Sequence, residues 1–143
     1  MRGRDEGSIL PLTIFFGFLS LVLVLMVVAA TSLYLERKRL FTVADGAALV
    51  GAEAFELNQV TAASDGSLVV NLDSDDVAVA VDDYLESAPM NDFDGLKVVR
   101  AMSADGRSAT VELRAFWRPP VLSMIAPDGI AIEVTSVARS VFN

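Results

Sequence analysis

The 143-residue chain contains no cysteine and no histidine. Without cysteine there is no disulfide and no thiol nucleophile, so the redox state of the compartment leaves no mark on the covalent structure. Without histidine the chain lacks the usual general acid or base near neutral pH, and zinc sites built on Cys and His are excluded with it. Positive charge is also scarce, with 11 Lys and Arg against 19 Asp and Glu. The shortage is uneven. Arg2, Arg4, Arg37, Lys38 and Arg39 against Asp5, Glu6 and Glu36 leave the first 39 residues at +2, so the net −8 of the chain places −10 on the remainder. A region that acidic repels phosphate backbones, which excludes nucleic acid as a partner.

Charge of either sign is missing altogether from Gly7 to Leu35. The hydrocarbon core of a bilayer needs about 20 apolar residues in a helix, and this run exceeds that. A secretory signal peptide cleaved after Val28-Ala29-Ala30 is the competing reading, but its apolar region spans only about 7–15 residues. Pro11 falls in a first helical turn, where its missing N–H costs nothing, and Gly17 is the one weak helix former before Leu35. Beyond the run, Leu40, Ala44, Ala47, Ala48, Gly51 and Phe55 recur at helical spacing, with Asp45, Glu53 and Glu56 at other positions. One helix is therefore expected from Ile9 to about Leu57. The expected division is a leader over 1–8, a transmembrane helix over 9–35, an amphipathic extension over 36–57, and a small acidic domain over 58–143.

In that domain Ser67–Leu72 reads as a short strand after the Asp65-Gly66 turn. Ser74 is expected to cap a helix with Asp75 and Asp76 in its first turn, an apolar face of Val77, Ala80, Val81, Tyr84, Leu85 and Ala88, and Pro89 at its end. Leu96–Met102 and Ser108–Trp117 flank Ala104-Asp105-Gly106, a hairpin signal. Ala109, Val111, Leu113, Ala115 and Trp117 alternate with polar positions, as in a half-buried strand. After Pro127-Asp128-Gly129, Ile130–Val141 alternates in the same way, with Ile130, Ile132, Val134, Ser136 and Ala138 on one face. The fold class is α+β: a long N-terminal transmembrane helix packed on a small antiparallel sheet, with a second helix. A domain of about 85 residues has a marginal core of its own, and the juxtamembrane helix would complete it.

Candidate sites each have a plain alternative. Asp73-Ser74-Asp75-Asp76 and Asn91-Asp92-Phe93-Asp94-Gly95 offer oxygen ligands, but neither follows the calcium loop with its central glycine and terminal glutamate, so no metal or other cofactor is expected. An anchored Ser–Lys hydrolase using Lys97, the one lysine beyond the juxtamembrane segment, lacks any motif to position it, and no catalytic residue is assigned. A single-pass sensor whose acidic domain captures a ligand or cation is the main alternative function. The stripe Ala44, Ala48, Gly51 and Ala52 permits close approach, either to a neighbouring helix or, the favoured reading, to the chain's own sheet. Val121, Leu122, Met124 and Ile125, between Pro119-Pro120 and Pro127, form either a partner-contact loop or a lid over a sheet edge.

The N-terminal segments resemble the TadE/TadG-like, pilin-like membrane proteins of tight-adherence (Tad, or Flp-type) pilus assembly. The resemblance lies in Arg4-Asp5-Glu6-Gly7-Ser8 before the apolar run, Pro11 inside it, Ser32 to Leu40 at its exit, and Asp45-Gly46-Ala47-Ala48-Leu49-Val50-Gly51-Ala52 beyond. It implies a pilin-like fold, a non-enzymatic role in pilus assembly or a related secretion apparatus, and other pilin-like membrane proteins or copies of the chain as partners besides the lipid bilayer. It also implies a leader junction at Gly7 and Ser8. Processed pilins carry a glutamate five residues after the leader glycine, and Leu12 stands there instead, which favours a membrane resident over a shaft subunit. Two positive side chains precede the span and three follow it, a count that taken alone slightly favours the opposite orientation until the N-terminal amine evens it. The resemblance and the acidic domain then imply an N-terminus in the cytoplasm and a domain outside the cytoplasmic membrane.

Overall fold

A computed structural model describes residues 9–55, 60–62, 68–87, 93–119 and 127–139. The first element, α1, is a single 44-residue helix over Ile9–Ala52. At 1.5 Å per residue it extends about 66 Å, more than twice the thickness of a bilayer's hydrocarbon core. It ends short of the expected Leu57. The Glu53 amide is shared between the carbonyls of Leu49 and Val50, each at 3.2 Å, and the Ala54 amide reaches only back to Gly51 at 3.3 Å. The last turn thus tightens and then stops, as helix ends do when the orphan carbonyls take i+3 partners.

Two short strands follow, β1 over Val60–Ala62 and β2 over Leu68–Val70, paired antiparallel with Val60 opposite Val70. β1 was not expected, because three residues are too few to display a period. β2 is shorter than Ser67–Leu72, and it belongs to this separate ladder instead of the main sheet. The helix α2 covers Ser74–Ser87. Its cap differs from expectation. Asp73 Oδ1 accepts the Asp75 amide at 2.9 Å, and the Asp73 carbonyl accepts the first helical bond, from Val77, at 3.1 Å. Asp73 is therefore the cap. Ser74 instead joins α2 to the sheet: its hydroxyl donates to the Ser103 carbonyl at 3.0 Å and accepts the Ser103 amide at 3.1 Å.

The main sheet consists of β3 (Asp94–Met102), β4 (Ser108–Trp117) and β5 (Ile130–Arg139), antiparallel in chain order. β4 and β5 pair without a break from Ser108 opposite Arg139 to Trp117 opposite Ile130. β3 starts two residues before Leu96 and is interrupted by two register shifts against β4. Between β3 and β4, Gly106 has φ +66°, and its carbonyl accepts the Leu72 amide at 2.8 Å, so the hairpin turn also holds the approach to α2.

Both helices lie on one face of this sheet. The C-terminal half of α1 packs on β4 and β5, and α2 packs on α1 and β3. The core between them contains Leu40, Ala44, Ala47, Ala48 and Ala52 from α1, Leu72, Val77 and Val81 around α2, and Ala109, Val111, Leu113, Ala115, Trp117, Ile132 and Val134 from the strands. The alternation in β4 places all five expected residues inside. The opposite face is solvated and laced by ion pairs across the strands, Arg100–Glu112 at 3.8 Å, Arg118–Asp94 at 3.4 Å and Arg114–Glu133. Exposed pairs of this kind contribute about 0–1 kcal/mol each.

Candidate functional site

The helix α1 has two environments along one axis. From Ile9 to Val28 every residue is exposed, including large apolar side chains such as Leu23 at 54% and Met26 at 64%. A stretch this apolar and uncovered is stable only against lipid or other apolar helices. From Ala29 and Leu33 onward one side of the same helix is progressively covered by the sheet, until Leu40, Ala44, Ala47 and Ala48 are fully buried.

Small residues make the close approach possible. A Cβ on Gly51 would lie 3.1 Å from Val77 and 3.3 Å from both Ala109 and Val81, so α2 and β4 converge on this one position. A Cβ on Gly46 would meet the Tyr84 hydroxyl of α2. The stripe Ala44, Ala48, Gly51 and Ala52 is thus buried inside the chain's own core. Alanine and glycine bring the helix axis near the sheet, where a leucine would hold it off.

Two polar contacts fix the position of the helix on the sheet. Ser136, 5% exposed on the inner face of β5, donates its hydroxyl to Asp45 Oδ1 on the flank of α1. Lower down, the indole N–H of Trp117 at the end of β4 donates to Ser32 Oγ at 3.2 Å. The first satisfies a hydroxyl that would otherwise be buried without a partner, which costs about 1–3 kcal/mol. The second places the only tryptophan of the chain beside the exit of the apolar run. Neither contact was foreseen from the sequence, although Ser136 among the inward positions of β5 and the serine at the helix exit were the available signals.

Beside the Trp117 contact an open groove runs between α1 and β5. Ala30, Leu33, Tyr34 and Arg37 face Ile130, Ala131, Ile132 and Glu133 at its lower end. Tyr34, Arg37, Lys38 and Phe41 face Glu133, Val134 and Thr135 above. Glu133 is engaged by Arg114.

The carboxylate with a resolved perturbation is Asp105, in the β3–β4 turn. Its Oδ1 accepts the amides of Arg107 at 2.9 Å and Ser108 at 2.7 Å and the Ser108 hydroxyl at 2.7 Å. Those bonds, the Arg107 amide first, lower its pKa from 3.8 to about 2. It closes a turn. Among the described residues no group of three His, Cys, Asp or Glu side chains is gathered as a metal would require. Asn91 and Asp92 of the second acidic run lie outside the described residues, as do the candidate leader junction Gly7 and Ser8 and the candidate contact loop Val121, Leu122, Met124 and Ile125.

An apolar helix long enough to cross a bilayer, continuing unbroken as one wall of an α+β domain, defines the class: a membrane-anchored protein whose anchor is part of its fold. Residues 7–54 match the Tad family model, described as putative Flp pilus-assembly TadE/G-like, so about a third of the chain is similar to that family. The matched segment coincides with α1, from the opening of the apolar run to the tightened last turn. Comparisons with curated proteins and with solved structures gave no match.

Proposed function

We propose that the protein is a non-enzymatic component of a Tad/Flp-type pilus assembly or related secretion apparatus, TadG/TadE-like and resident in the cytoplasmic membrane. The observation that carries this reading is the coincidence of the family-matched segment with the helix that is both span and core wall. In such a protein the apolar part of α1 sits among lipids and other membrane helices, while the acidic domain stands outside, with the N-terminus in the cytoplasm. Because the small-residue stripe is occupied by the chain's own sheet, contacts with pilin-like partners or further copies fall to the exposed half of α1, to the solvated face of the sheet and to the connector 120–126. Leu12, where processed pilins have glutamate, supports a minor or resident role over that of a shaft subunit.

The test is genetic. Deleting the gene is expected to abolish or shorten surface pili, with restoration by the intact gene. Fibres of normal number and length in the deletion strain overturn the proposal.

A further inference from the structure

The groove between α1 and β5 joins two chemistries at one level of the molecule. Its lower end is apolar, lined by Ala30, Leu33, Ile130 and Ile132, and it opens where the charge-free run of α1 stops. Its upper end carries Arg37 and Lys38 beside Tyr34 and Phe41. Neither cation has an ion-pair partner among the described residues. The one carboxylate lining the groove, Glu133, is held by Arg114 from the neighbouring strand. Ile130 and Tyr34 leave apolar surface in the groove uncovered, at 48% and 66% exposure. Against a remainder of the chain that carries −10, these two unpaired cations over an apolar trough are a local reversal of charge.

From this geometry we infer that the groove seats a membrane phospholipid with an acidic headgroup, its phosphate on Arg37 and Lys38 and an acyl chain against Leu33, Ile130 and Ile132. The inference rests on the reading of α1 as a membrane anchor. Continuity selects the occupant: the trough begins where the lipid-facing run ends, so an acyl chain enters from the bilayer without crossing water. Charge complementarity selects the headgroup, since basic side chains next to a span attract anionic lipid. The bound lipid would then join helix and sheet along this open flank, and would set the domain upright on the membrane.

The test uses the full chain reconstituted in nanodiscs of phosphatidylcholine mixed with phosphatidylglycerol, followed by native mass spectrometry of the released protein. The expected result is retained phosphatidylglycerol, enriched over its share in the disc. Retention should fall about fivefold for each charge removed in Arg37→Gln and Lys38→Gln. Lys97→Gln, on the remote edge strand, should retain as much as the parent. Retention of both lipids in proportion to their share, or equal loss in all three variants, overturns the groove while leaving the anchor intact. A chain that does not incorporate into discs or float with vesicles overturns the anchor, and the lipid site with it. Both substituted cations are exposed, so the variants keep the core.

Discussion

At the scale of single residues, the polar groups that matter are short side chains satisfying backbone. Asp73 caps α2, Asp105 closes the β3–β4 turn, Ser74 bridges to Ser103, and Asp45 receives Ser136. Asp105 gives a prediction with a definite sign. Its folded pKa lies below its ordinary value of 3.8, so the stability it lends is complete above that value and is lost as pH falls towards about 2. Urea unfolding of the parent and of Asp105→Ala should therefore show a gap at pH 7 that narrows from pH 3.8 downward. A gap that stays constant over that range contradicts the role given to the carboxylate. The Asp73 cap shows why residue-level reading from sequence goes astray by one position: Asp and Ser are about equally good caps, and Asp73-Ser74 presents both. Only the tertiary demand of Ser103 for the Ser74 hydroxyl decides between them.

At the scale of elements, α1 is a span and a core helix in series. The sequence made much of this legible, because the charge-free run and the Leu40, Ala44, Ala47, Ala48, Gly51 spacing are both periodic over many residues. β4 was equally legible, since its whole length alternates. What stayed hidden was short or long-range: β1 has three residues, the bulges of β3 depend on its partner, and the docking of Trp117 on Ser32 links positions far apart in the chain. Of the candidate site residues, the small-residue stripe was recognisable from spacing alone, whereas Arg37 acquired its place beside β5 only when the strand was folded against the helix. The division of α1 predicts unequal responses to the same truncation. Leu40→Ala removes a fully buried side chain and should lower domain stability by about 2–5 kcal/mol. Leu23→Ala, on the exposed half, should leave it within about 0.5 kcal/mol. Chemical unfolding in detergent monitored by Trp117 fluorescence measures both, and similar losses in the two variants contradict the division.

At the scale of the whole molecule, a small acidic domain completes its core with the extension of its own membrane anchor, so that motion of the helix is motion of the domain. That coupling ties any contact made by the apolar half of α1 to the orientation of the sheet. It also explains why the family-matched segment continues past the apolar run, since residues 36–54 hold the sheet. The most direct measurement compares two truncated chains, one beginning at residue 36 and one at residue 58. The second lacks Leu40, Ala44, Ala47, Ala48 and Ala52 from the core. Amide proton–nitrogen NMR spectra and thermal unfolding should show dispersed resonances and a cooperative transition for the chain from residue 36, and collapsed dispersion without a transition for the chain from residue 58. A chain from residue 58 that folds with the same dispersion and the same midpoint would contradict the claim that the anchor is the spine of the fold.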